Sequence, residues 1–239
     1  MCFILALLGR RPDSPLVLAA NRDERRDRPS RPPFRWPDRA IWAGRDEVAG
    51  GTWLGVNEGG LLVAITNRRD GAADPSLPSR GRLCLDLLDQ PSTAAAAAAL
   101  TARLAARRHN PFNLLCADRR GGWVASWRGQ PRTLGPGAHV LTNRGELDDR
   151  ALPVVARALD LLDAIDTAAP LADLLPALGR LCADTAGPDP ICRLGGDRGT
   201  VSSSLVALDA DGRLAAYWHA DGPPAEAPYR SILPMAAAR

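Results

Sequence analysis

The chain has 239 residues, 46% of them hydrophobic and 24% charged, and its net charge of +3 rests on arginine alone, because it contains no lysine. That length and composition suit a globular protein with a substantial core, and we expect one domain over 1–239. The basic side chains are interleaved with acids, as in NRDERRDRPSRPPFR, and no helix-turn-helix, zinc-finger or aromatic RNA-binding pattern accompanies them, which argues against a nucleic-acid partner.

MCFILALL opens the chain with a thiol followed by six apolar residues. Its first positive charges follow the apolar run, the reverse of a secretory signal. No segment approaches the ~18 apolar residues of a membrane span. A cytoplasmic protein without a transmembrane segment is therefore expected. FILALL and LVLAAN, separated by GRRPDSP, read as an antiparallel strand pair. SRPPFRWPDRAIWAG reads as an ordered surface loop with a short strand at its end. GTWLGVNEGGLLVAITN gives two further strands across an Asn-Glu-Gly-Gly hairpin turn. RGRLCLDLLD and PSTAAAAAALTARLAARR are helical in composition and spacing, with Ser92 or Thr93 as the cap of the second.

Strands return with FNLLCAD, GGWVASW, QPRTL and HVLTN. Helices follow around DDRALPVVARALDLLDAI and PLADLLPALGRLCADT, and SSSLVALDADGRLAAYWHAD closes the series with two strands across an Asp-Ala-Asp-Gly turn. Strand groups joined by hairpins and followed twice by helix pairs predict two antiparallel sheets face to face with helices outside, an α+β fold.

Cysteines stand at positions 2, 84, 116, 182 and 192, an odd number with no CxxC spacing, which argues against a disulfide framework or a zinc site. Cys84, Cys116 and Cys182 lie in apolar contexts and are expected to be buried as small hydrophobes. Cys2 differs. If Met1 is removed, it carries both a thiol and a free α-amine, and an amine with a pKa near ~8 can take a proton at neutral pH.

Polar residues gather at strand ends: Asn21, Arg22, Asp23 and Glu24 after the second strand, and Thr-Asn-Arg twice, at Thr66-Asn67-Arg68 and Thr142-Asn143-Arg144. Were these ends to converge on Cys2, Arg22 would lower the thiol's pKa and Asp23 would orient the ammonium. Asn amides would hydrogen-bond the oxyanion of a tetrahedral intermediate. Such a set is a self-contained nucleophile and base, analogous to N-terminal threonine systems. His139 and His219 offer a Cys–His alternative, but neither lies in a thiol-protease signature, and both read as packed or surface histidines. Trp36 and Trp42 read as core, or as the rim of an apolar pocket.

MCFILALL, LVLAANRDE, GGTWLG, LLVAITN, RGRL, FNLL and LTNRG, in that order and over nearly the whole chain, resemble the NRDE family, also called the transport and Golgi organisation 2 family. The resemblance implies the four-layer αββα sandwich of the N-terminal nucleophile hydrolases. It also implies kinship with the cysteine members that cleave linear amides, the penicillin V acylases and bile-salt hydrolases. By that resemblance Cys2 is the nucleophile, Asn67 and Asn143 are site asparagines with Asn143 the oxyanion donor, and Arg22 and Asp23 complete the set. Glu24 is the alternative acid.

One position departs from the pattern. Relatives carry Gly-Thr-Arg before the last strand pair, whereas this chain reads RGTVSSS, placing Val201 at the basic position with Arg198 and Arg193 nearby. The resemblance thus implies hydrolysis of a small-molecule amide or acyl substrate, with no cofactor or metal required. The family's link to haem and lipid metabolites implies the alternative, a non-catalytic carrier of a hydrophobic ligand such as haem.

Overall fold

In the computed structural model, which describes residues 2–68 and 73–234, strand β1 (Phe3–Leu8) is buried on both faces. Side chains alternate along a strand. Phe3, Leu5 and Leu7 accordingly enter one core, while Ile4, Ala6 and Leu8 enter another. Each such leucine contributes about 1.5–3 kcal/mol of burial, so a slip of one residue would cost both cores at once. β2 (Leu16–Arg25) pairs antiparallel with β1 and continues the same alternation.

β3 (Ser30–Arg35), β4 (Ile41–Asp46), β5 (Leu54–Asn57) and β6 (Leu62–Asn67) follow, then α1 (Arg80–Leu88) and α2 (Thr93–Ala106). After them come β7 (Phe112–Asp118), β8 (Gly121–Ser126), β9 (Arg132–Leu134) and β10 (Gly137–Thr142), and then α3 (Pro153–Asp163) and α4 (Leu171–Cys182). β11 (Arg198–Leu208), β12 (Leu214–Ala220) and β13 (Arg230–Ser231) complete the series. The strands form two antiparallel sheets, in the orders β10-β1-β2-β11-β12-β13 and β3-β4-β5-β6-β7-β8-β9.

Three apolar clusters lie between four layers. α3 and α4 cover the first sheet, the two sheets face one another, and α1 and α2 cover the second. This is the expected αββα sandwich. Ser79 and Ser92 cap α1 and α2 by accepting from the backbone N–H groups of Arg82 and Ala95. Cys84, Cys116 and Cys182 are free and buried, as expected.

The proline-rich segment corrects the sequence reading. SRPPFR is a strand, β3, and not a loop. Proline is tolerated there because β3 is the outer strand of its sheet and the register slips between Arg31 and Phe34, where Pro32 and Pro33 lie. The short β13 was not legible in the sequence.

Candidate active site

The β1–β2 register fixes the neighbourhood of Cys2. Phe3 stands opposite Asn21, and Cys2, one step further, lies beside Arg22. Alternation sends Cys2 and Arg22 to the face between the sheets and Asn21 to the helix side. There Asn21 Nδ2 donates to the carbonyls of Cys182 and Ile191 at 2.8 and 3.0 Å, tying the end of α4 to β2. A narrow cleft of about 20 Å3, open to solvent, lies between the sheets, with Cys2, Arg22, Trp53, Thr66, Ser202 and Ser204 among its walls.

Arg22 is almost fully buried. Its Nη1 donates to Ser30 Oγ at 3.1 Å, its Nη2 lies 3.7 Å from Asp46 Oδ2, and its guanidinium stacks 4.1 Å from the centre of the Trp53 ring. Asp46 is itself fixed, by two hydrogen bonds from Arg28 and by the N–H groups of Val48 and Ala49. Burial raises the pKa of Asp46, but the Arg28 and Ala49 hydrogen bonds outweigh it and hold the carboxyl below the ordinary range. The GGTWLG block thus supplies the ring beneath Arg22. Its Gly51 runs so close to Gly81 of α1 that any Cβ would overlap that backbone.

The Cys2 thiol donates to the Asp23 carbonyl at 3.6 Å. Burial pushes the thiol's pKa up, and Asp23 adds to this, while the Asp23 carbonyl bond and the Arg22 charge pull it down by less. Arg22 lowers the pKa as expected, but desolvation outweighs it and the net direction is upward. Asp23 Oδ1 accepts from Thr200 Oγ1 at 2.8 Å. Desolvation raises this carboxyl as well, against the Thr200 bond and the charge of Arg193. Glu24 instead pairs with Arg198 at 2.9 Å. Asp23 meets Cys2 through its main-chain carbonyl, while its carboxylate is held by Thr200.

Val201 occupies a β-bulge. Thr200 pairs with Asp23 and Ser202 with Arg22, leaving Val201 without a cross-strand partner. Arg198 is engaged with Glu24, whereas Arg193 is the basic residue whose field reaches Asp23.

The two Thr-Asn-Arg segments do meet, through threonine. Thr66 Oγ1 and Asn113 Nδ2 donate to the Thr142 carbonyl at 3.0 and 2.9 Å, across the gap between the sheets. Continuing the β1–β10 register past Phe3 and Thr142 places Asn143 beside Cys2. Asn143 is buried, and its Oδ1 has no hydrogen-bond partner among the described residues. Asn67 is not brought in. It is exposed at the end of β6, opposite Phe112, on the face turned towards α1 and α2.

His139 is held by Asp148 and the Gly135 carbonyl, at 3.0 and 2.9 Å. His219 Nδ1 is 2.9 Å from Ser204 Oγ. The sequence reading assigned no role to Trp53, Asp46, Ser30, Thr200 or Ser204. The GGTWLG block carried a signal for Trp53, and RGTVSSS contains Thr200 and Ser204, but the feature read there was Val201.

Two facing antiparallel sheets with helices outside make up the fold seen in solved N-terminal nucleophile hydrolases. Penicillin V acylase from Agrobacterium tumefaciens shares it, with a TM-score of 0.61 and 14% identity over 92% of this chain and 83% of that one. So does the Caenorhabditis elegans N-acylethanolamine-hydrolyzing acid amidase ortholog, with a TM-score of 0.58 and 14% identity over 88% and 93% of the two chains.

The chain belongs to the Transport and Golgi organisation 2 family, whose profile matches residues 1–183. It is 30% identical over 254 residues to the Bos taurus Transport and Golgi organization protein 2 homolog, covering 90% of this chain and 91% of that one. With the Mus musculus homolog it shares 35% identity over 160 residues, or 60% of this chain and only 57% of the mouse protein's length.

Proposed function

We propose that the chain hydrolyses a linear amide or related acyl bond of a small molecule, with Cys2 as nucleophile and its α-amine as base once Met1 has been removed. The observation that carries this reading is the position of Cys2 at the rim of the cleft, beside buried Arg22 and in contact with Asp23. Because burial disfavours a resting thiolate, the thiol proton passes to the α-amine as sulfur attacks the carbonyl carbon. The Asn143 amide donates to the resulting oxyanion. Collapse breaks the C–N bond, the ammonium gives its proton to the leaving amine, and a thioester remains. Water, deprotonated by the same amine, cleaves the thioester and restores the thiol. Arg22 stabilises negative charge on sulfur, and Asp23 holds the ammonium.

Intact-mass spectrometry of the purified protein tests the first requirement: Met1 absent, and Cys2 acylated by an activated amide. Amine release from a panel of acyl amides tests turnover, with Cys2→Ala inactive and Asn143→Ala about 100- to 1,000-fold slower in kcat. Retained Met1 overturns the proposal, since the α-amine is then blocked. Saturable haem binding that is unchanged in Cys2→Ala, together with no amine release, would replace hydrolysis with carriage of a hydrophobic ligand.

A further inference from the structure

A second cavity lies on the other side of the β3–β4 edge, between the outer face of that strand pair and α1. It holds about 760 Å3 of space open to solvent, and Arg31, Phe34, Trp36, Arg39, Arg45 and Arg82 are among its walls. From the geometry of these residues we infer that this cavity binds a phosphate-bearing small molecule, at a site separate from the cleft that holds Cys2.

The argument begins with register. Arg31 and Arg45 are direct cross-strand partners, and like charges placed opposite one another in an antiparallel pair are destabilising. Both guanidinium groups are held over aromatic rings. Arg31 lies 4.1 Å from the centre of Phe34 and Arg45 lies 5.6 Å from that of Trp36, while the two rings stack on each other at 5.6 Å and 8°. Trp36 is fixed in turn, its indole N–H donating to the Ala43 carbonyl at 3.1 Å. A guanidinium stacked on a ring keeps its N–H edge free, in the planar fork that matches two phosphate oxygens.

The opposite wall repeats the pattern. Arg82 sits in the first turn of α1, a turn with no acidic residue, although the helix N-terminus favours negative charge. Its Nε donates to the Ala49 carbonyl at 3.3 Å, which holds its remaining donors beside Gly50.

Charge accounting separates these groups. Arg39 pairs with Asp89, and Arg45 lies 3.5 Å from Glu47. Among the described residues, Arg31 and Arg82 have no carboxylate in ion-pair range. Asp38 is the acid on the cavity wall. Two uncompensated cations, held from opposite walls, suit a dianion, and each ring of the Phe34–Trp36 stack already has a guanidinium against it. Recognition therefore falls on the charged group and not on a stacked base.

The test is calorimetric titration of the full-length protein with inorganic pyrophosphate, using succinate as a carboxylate control. Saturable pyrophosphate binding is expected, with affinity reduced about tenfold or more in Arg31→Gln and in Arg82→Gln. Arg31→Lys should recover only part of the loss, because a point charge lacks the fork. Circular dichroism establishes that each variant is folded. Arg128→Gln, which removes an arginine stacked on Trp127 outside this cavity, should bind like the parent, and so should Cys2→Ala, whatever the outcome at the first cleft. No binding of pyrophosphate, equal binding of succinate, or an equal loss in Arg128→Gln overturns the inference. Binding to phosphatidic acid vesicles without binding of soluble pyrophosphate would also overturn it, assigning the arginines to a lipid surface.

Discussion

Replacing Arg22 by methionine separates the electrostatic role of this side chain from its packing. The guanidinium is buried and makes three contacts: the Ser30 hydrogen bond at 3.1 Å, the Trp53 ring at 4.1 Å, and Asp46 at 3.7 Å. The hydrogen bond is worth about 1 kcal/mol, and the ring contact about 1–2 kcal/mol, part of which a methionine sulfur retains. Asp46 is not orphaned, because Arg28 holds both of its oxygens at 2.7 and 3.1 Å. The variant should therefore fold, with a loss of about 1–3 kcal/mol, or roughly 2–12 °C in Tm for a chain of this size. The second consequence concerns the thiol. Arg22 pulls the pKa of Cys2 down against burial, so its removal pushes that pKa higher and leaves less thiolate at any pH below it. Alkylation of Cys2 by iodoacetamide at fixed pH, followed by mass spectrometry, should be slower in Arg22→Met than in the parent. An unchanged or faster rate in a folded variant would refute the electrostatic argument. A stability loss above about 5 kcal/mol, larger than these contacts can supply, would refute the packing argument.

The remaining predictions concern stability. Burial pulls His219 down to about 4, against ~6.5 in an unfolded chain. The unfolded state then takes up a proton that the folded state refuses, so stability is full above pH ~6.5 and falls by up to about 3 kcal/mol as pH drops towards 4. His219→Asn should flatten that limb in urea titrations at pH 7 and 4.5. The raised carboxyl of Asp23 acts in the opposite sense, but it is common to both proteins and cancels in the comparison. An undiminished limb would show that other groups carry it. Gly60 in the β5–β6 turn has φ +81°, and a Cβ there would overlap the Gly212 carbonyl oxygen in the β11–β12 turn. Gly60→Ala should cost about 2–5 kcal/mol by chemical denaturation, from strain and overlap together. Gly187→Ala has the same φ with open space around the new carbon and should cost only the strain. Equal losses would mean that the contact between the two turns does not matter.

Much of the fold follows from local pattern. FILALL, LVLAAN and SSSLVALD are short apolar runs bounded by turn residues, and the helices carry their own spacing and serine caps. The exceptions are instructive. Pro32 and Pro33 read as loop because proline cannot donate to a ladder, yet at a sheet edge no partner requires that donor. β13 spans two residues, Arg230–Ser231, and exists only because β12 offers a free edge to pair with.

For the candidate site, the sequence by itself determined which residue types were available at strand ends: Cys2, Arg22, Asp23 and Asn143, together with the GGTWLG block. Tertiary structure decided which of them meet. Strand alternation and register set Cys2 beside Arg22 in the cleft and turned Asn21 to the opposite face, and the same rule carried Asn67 away from the cleft although its Thr-Asn-Arg context matches that of Asn143. The direction of the Cys2 pKa was likewise undetermined by sequence. A nearby arginine is visible in the chain, but the desolvation that outweighs it exists only once the two sheets face each other beside the thiol. Charge is a property of the residue, whereas desolvation is a property of its surroundings.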